Sequence, residues 1–237
     1  MSWLSRLFAG QDAPGVTLNA EQQQAIASWR QLPDPDPHRS HYRSRYVVVD
    51  VEATGINVRS DRLRAIGALA LVDGRICFRE AFQLVLADPK AAGDWAPRCE
   101  SANPVAENGQ AEVDALLSFL RFVGKSPLVA YNVPFVAAMI ERELAARLGI
   151  ELQLPWIDLA WVMPDLFRQV DHARPGLDTW LDHFGIESIQ RHHAVSDAFV
   201  SAQLLQVTIA AGARKSIDTP AALLELEKAR RHMHQSG

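Results

Sequence analysis

The sequence predicts an α/β domain with a mixed sheet, and three observations carry that assignment. Tyr46-Val-Val-Val-Asp50 is a continuous apolar run ending in a carboxylate, the pattern of a buried central strand. Residues 63–72 and 75–86 flank Asp73-Gly74, a dipeptide suited to a two-residue hairpin turn. Helical periodicity then brackets one more short apolar run, so the order reads hairpin, helix, strand and helices.

Taken in order, Asn19 to Gln31 reads as a short helix, with Asn19 as N-cap and Gln22 at the capping-box position. It ends at Pro33-Asp-Pro-Asp-Pro37, whose alternating prolines force an extended path. The stretch His38 to Arg45 carries three arginines and two histidines and reads as a solvated linker, with a phosphate-contacting edge as the alternative. This division puts an N-terminal helix and Pro-rich linker in residues 1–45 and the compact domain in residues 46–237. Within that domain, Val113 to Phe122 has apolar residues at 113, 116, 117 and 120 and reads as a helix following Asn108-Gly109. Pro127 to Tyr131 is a second buried strand, and Phe135 to Leu148 returns to helical period. Helices over Leu159 to Phe167, Leu177 to Phe184, Ala194 to Ala211 and Ala221 to His232 complete the chain, which shows no internal repeat.

Composition narrows the function classes. At 237 residues and 48% hydrophobic content, the chain can bury a full core as one domain with short appendages. A formal net charge of -4 provides no global positive field, which argues against a non-specific nucleic-acid coat protein. An enzyme holding a few nucleotides in a metal-filled cleft stays open, because bound cations supply the local charge. Cys77 and Cys99 form no metal-type or redox-type pair, so a reducing cytoplasm is expected. The first ten residues are too short and broken for a signal peptide, and no run reads as a membrane span. Trp3, Leu4, Leu7 and Phe8 sit at helical spacing, which suits either a locally packed terminus or a segment that docks on a protein partner or a membrane surface. Zinc is a poor fit, since the pairs His38/His41 and His232/His234 lack cysteines or a second well-spaced pair.

Asp50 and Glu52 alternate along an extended segment, so both side chains leave one face at the strand's carboxyl end. Gly55, after Thr54, lets the backbone turn and approach a ligand closely. His192 and Asp197 straddle the start of a long helix. A carboxylate there is favoured electrostatically even without function, and neighbouring His193 leaves the choice of imidazole open on spacing alone.

Together, the segments Asp50-Val-Glu-Ala-Thr-Gly55, Tyr131-Asn-Val-Pro-Phe-Val136 and His192-His-Ala-Val-Ser-Asp197 resemble the motifs of the DEDDh-type 3′–5′ exonucleases, the superfamily of the proofreading epsilon subunit of DNA polymerase III and of RNase T. The first motif falls on Asp50, Glu52, Thr54 and Gly55, and the third on His192, Ala194, Asp197 and Ala198, a spacing that selects His192 over His193. Ile66-Gly67-Ala68 and Asp158-Leu159 are lesser echoes. The second motif departs: Asn132 and Phe135 match, but the position of its aspartate is Val136.

The resemblance implies a ribonuclease H-like, mixed five-stranded sheet flanked by helices, and a Mg²⁺- or Mn²⁺-dependent 3′–5′ exonuclease acting on single-stranded 3′ ends by two-metal hydrolysis. Asp50, Glu52 and Asp197 would be the metal ligands, and His192 the general base, its ordinary pKa of about 6.5 suiting proton removal near neutral pH. Thr54, Gly55 and Ile56 would line the terminal nucleotide, with Asn132 and Phe135 supporting that pocket. Val136 would face the second-metal position at a solvent-bordered cleft and weaken that ion, leaving activity reduced. The competing expectations are a catalytically degenerate module that binds nucleic acid or a protein, and a carboxylate-rich metal site of unrelated chemistry.

Overall fold

The structure is a computed structural model that describes residues 17–86, 109–170 and 175–235. The Met1–Gly10 segment and Cys99 lie outside the described residues. Five strands form one mixed sheet: β1 (Arg45–Ala53), β2 (Leu63–Val72), β3 (Arg75–Val85), β4 (Leu128–Ala130) and β5 (Trp156–Asp158), in the order β3-β2-β1-β4-β5. The hairpin strands β2 and β3 pair antiparallel, β2 pairs antiparallel with β1 on its other side, and β4 pairs parallel with both β1 and β5. Asp73 and Gly74 both take positive φ, 51° and 77°, the twist a two-residue turn needs to match its strands. β5 has only three residues, too few for periodicity to reveal.

Seven α-helices are described: α1 (Ala20–Arg30), α2 (Gly109–Val123), α3 (Val133–Leu148), α4 (Leu159–Leu166), α5 (Leu177–Phe184), α6 (Ala194–Ala213) and α7 (Pro220–Gln235). Alternation along β1 sorts them into two layers. Val47, Val49 and Val51 point into an apolar cluster with α1, α2 and α3, through residues such as Trp29, Leu116 and Met139. Tyr46 and Val48 point to the other face, into a cluster with Val162, Trp180, Leu205 and Leu223 from α4 to α7. Asp50 and Glu52 share the parity of Tyr46 and Val48. Both carboxylates therefore leave the sheet on the face against which α6 packs.

The packing reaches further toward the N-terminus than the boundary expected at Tyr46. The expected capping box closes α1, with Asn19 Oδ1 accepting from Gln22 N and Gln22 Oε1 from Asn19 N. Ile26 and Trp29 are buried in the first cluster, and the Trp29 indole donates to Gly124 O at 2.8 Å. Residues 38–45 are a solvated linker only in part: His38, Arg39, Tyr42 and Arg43 are exposed, but His41 and Arg45 are not. His41, in a short 3-10 turn, is fully buried, with Nδ1 2.6 Å from the Tyr46 hydroxyl and Nε2 3.2 Å from Ile217 O. Arg45 turns inward to Glu80, Ser126 and Phe122 O, which takes it away from any role as a phosphate contact. α6, at 20 residues, is long and apolar enough to cross a membrane by length and composition alone. Two thirds of it is buried between β1, β2 and the second helical layer, which accounts for its apolar character.

Candidate metal centre

Two elements bring the acidic residues together. β1 delivers Asp50 and Glu52 at its carboxyl end, and α6 delivers Asp197 from its first turn. One carboxylate oxygen from each of the three lies within 4.8 Å of the others. The docking depends on Gly67, which pairs with Asp50 across β1 and β2. A Cβ at that position would stand 2.1 Å from the backbone carbonyl carbon of Ala194, so only glycine lets the start of α6 lie on the sheet beside Asp50.

Like charges at this separation, partly removed from water, resist joint ionisation. Burial, then Asp197, then Glu52, push the Asp50 carboxyl up to about 8. Burial and Asp197 likewise raise Glu52, opposed by His192, Arg191 and Arg64 nearby. A hard divalent cation such as Mg²⁺ or Mn²⁺ is the partner such a set fits: three oxygen donors, no sulfur, and a surplus of negative charge that favours cation over proton. Among the described residues this is the one grouping of three acidic, histidine or cysteine ligand atoms with such spacing. Glu141 and Glu143 on α3 are not part of it.

The loop before α6 is held by that helix's own side chains. Ser196 Oγ accepts from Gln190 N at 3.0 Å, and Asp197 Oδ2 accepts from His192 N at 2.9 Å. His192 takes a left-handed backbone, φ 60°, and its side chain is exposed, while His193 is half-buried as the N-cap residue of α6. Arg191, absent from the sequence-derived site, pairs through one nitrogen with Asp197 Oδ1 and through another with Asp178 Oδ1, at 3.0 Å for the latter. No motif marks it; its position six residues before Asp197 acquires meaning only once the loop folds back.

Around the cluster, Thr54 Oγ1 donates to Asp61 Oδ1 at 3.1 Å and accepts from Arg62 N at 2.9 Å, closing the turn after β1. A Cβ on Gly55 would meet the Asp61 carboxylate at 2.6 Å, so the glycine serves this turn as well as any ligand approach. Ile56 projects from it at 92% exposure. Asn132 is exposed and left-handed, φ 66°, at the N-terminus of α3, with its N–H donated to Asp158 Oδ1 at 3.0 Å. Phe135 is half-buried against the first apolar cluster.

Val136 corrects the expectation. It is 2% exposed and belongs to the first apolar cluster, so it does not border solvent. The left-handed turn at Asn132 leaves Asn132 and Pro134 outside and sends residue 136 inward with Met139 and Ile140.

The sequence profile of the exonuclease (RNase T) family matches residues 47–205, which span every residue of this centre. The chain belongs to the DEDDh-type exonuclease superfamily. This exonuclease domain is 32% identical over 171 residues to the PolC-type DNA polymerase III of Clostridium perfringens, covering 71% of the chain and 11% of the polymerase. It thus spans about a ninth of that relative's length. Its fold resembles the zinc-bound E. coli ExoI–ssDNA complex, with TM-score 0.51 and 19% identity over 71% of this chain and 41% of that one. It also resembles cell-death related nuclease 4, with TM-score 0.51 and 13% identity over 73% of this chain and 67% of that one. In the exonuclease domain, α7 lies beyond the matched residues yet supplies Arg231 and Glu227, which bond the Asp158 carboxylate and backbone N–H at 3.0 and 2.8 Å.

Proposed function

We propose that this exonuclease domain degrades single-stranded nucleic acid from the 3′ end in a reaction that depends on Mg²⁺ or Mn²⁺. The observation that carries the reading is the convergence of Asp50, Glu52 and Asp197 within 4.8 Å at the end of β1, in a chain of the exonuclease family. These three residues would hold the divalent cation, which supplies positive charge and Lewis acidity for attack of water on phosphorus. His192 stands at the mouth of the cluster, near enough to act on Glu52, and exposed so that its ring nitrogen can take the proton of the attacking water. Its backbone is tied to Asp197, so base and metal ligand are set by one hydrogen bond. Thr54 and Gly55 shape the turn from which Ile56 would meet the terminal nucleotide, and Asn132 and Phe135 would support that pocket. The single-stranded DNA named in the ExoI complex supports the substrate class through likeness of fold.

The buried Val136 favours a second reading, an attenuated enzyme or a module that binds 3′ ends without cutting, because no carboxylate at 136 helps to hold a second ion. Oligonucleotides labelled at either end separate the readings. In Mg²⁺, a 5′-labelled single strand should yield a descending ladder while a 3′-labelled strand releases mononucleotide at once, and Asp50→Asn should abolish both. Retained strand binding with no Mg²⁺-dependent product would select the second reading.

A further inference from the structure

The geometry points to Arg191 as the site's own third positive charge: it occupies Asp197 while no ion is bound, and on metal loading it passes to a phosphate oxygen of the substrate. The inference rests on the proposed metal centre. Both oxygens of the buried Asp197 carboxylate are engaged from within the chain, Oδ1 by the Arg191 guanidinium and Oδ2 by His192 N–H at 2.9 Å. A cation that takes Asp197 as ligand therefore competes with Arg191. The guanidinium is not buried with its partner: the Arg191 side chain is 36% exposed, and its second nitrogen rests 3.0 Å from Asp178, itself 75% exposed at the start of α5. One end of the fork faces the cluster and the other faces the rim.

That arrangement gives the released arm somewhere to go. Asp178 anchors one nitrogen, so displacement from Asp197 swings the other across the mouth of the cluster rather than into bulk water. A planar guanidinium held there matches a phosphate oxygen pair, which lysine matches less well. Charge supports the same order of events. Asp50, Glu52 and Asp197 carry three negative charges when ionised; one divalent cation leaves one uncompensated, and Arg191 supplies the remainder. Valine at 136 adds no carboxylate that would recruit a second ion in its place. Arg191 is thus a specificity residue for a phosphate at the reacting end, not a ligand to metal.

Two binding measurements on the full chain test this, neither of which reads turnover. Mn²⁺ affinity is followed by electron paramagnetic resonance, and thymidine 5′-monophosphate affinity by calorimetry at saturating Mn²⁺. Arg191→Gln should bind Mn²⁺ about tenfold more tightly and the nucleotide about tenfold more weakly, opposite movements that general damage cannot produce. Arg191→Lys, which keeps the charge and the partly exposed stem, should retain near-parental Mn²⁺ affinity and lose less nucleotide affinity than Gln. Unchanged affinities in Arg191→Gln, or both weakened together, would overturn the inference. So would an Arg191→Lys chain that binds Mn²⁺ about tenfold more tightly than the parent, a comparison that also decides the matter should the Gln variant not fold. Mn²⁺ binding that is as tight in Asp50→Asn as in the parent would instead remove the metal centre itself, whatever Arg191 does.

Discussion

Gly67 and Ala194 touch backbone to side-chain position: a Cβ on the glycine would lie 2.1 Å from the Ala194 carbonyl carbon and 2.4 Å from its oxygen. Gly67 is the β2 partner of Asp50, and Ala194 opens the helix that carries Asp197 three residues on. The distance between two carboxylates on separate elements is thereby set by a missing methyl. Gly67→Ala should shift α6 off the sheet, cost about 2–4 kcal/mol in stability and weaken Mn²⁺ binding at the cluster. Thermal denaturation and Mn²⁺ titration check both effects; a stable Gly67→Ala chain with parental Mn²⁺ affinity would show that the close approach does not position Asp197.

Asp50 imposes a pH signature on the chain without metal. In the unfolded chain its carboxyl releases its proton near 3.8, whereas the folded chain holds that proton up to about 8, chiefly through burial and then through Asp197 and Glu52. Between those values the folded state binds more protons than the unfolded state, so the contribution of Asp50 to stability falls as pH rises and is constant below and above the window. Asp50→Asn should therefore match the parent in unfolding free energy near pH 4 and exceed it near pH 8, by on the order of a few kcal/mol. Saturating Mn²⁺ should narrow the gap by stabilising only the parent.

Much of this centre was legible in advance because its determinants are local. Asp50 and Glu52 share a face by strand alternation, and the run before them is apolar throughout because helices cover both sides of β1. The hairpin turn and the α1 capping box depend on residues within four positions of each other and were equally readable. What escaped depends on long-range contact. β5 is three residues supported by pairing with β4, and His41 is buried by Ile217, far along the chain. Arg191 gains its meaning from Asp178 and Asp197 together, and the inward course of Val136 from the left-handed Asn132.

Because Val136 sits in an apolar cluster, Val136→Asp is not a neutral restoration of an acidic ligand. A carboxylate there should lower stability by about 2–4 kcal/mol in the absence of metal. If residue 136 faces the ion positions, Mg²⁺ or Mn²⁺ should recover most of that loss, and magnesium-dependent strand degradation should rise above the parental level. Melting temperatures with and without metal are the check; a deficit that metal leaves untouched would place residue 136 away from the centre.

The two adjacent histidines should separate cleanly. His192 is exposed at the cluster, whereas His193 is half-buried as the first residue of the helix cap. His192→Ala should reduce kcat/KM by about 10²–10⁴-fold, with His193→Ala within a few-fold of the parent. A severe loss in His193→Ala with His192→Ala intact would reverse the assignment.

The central claim is that Asp50, Glu52 and Asp197 form a divalent-cation centre. Anomalous diffraction from crystals grown with Mn²⁺ and a nucleoside monophosphate tests it most directly. The account predicts a strong peak coordinated by all three carboxylates, with the Arg191 guanidinium moved off Asp197 onto the nucleotide phosphate. Ordered nucleotide with no peak at these carboxylates, or a peak held by other residues, would contradict it.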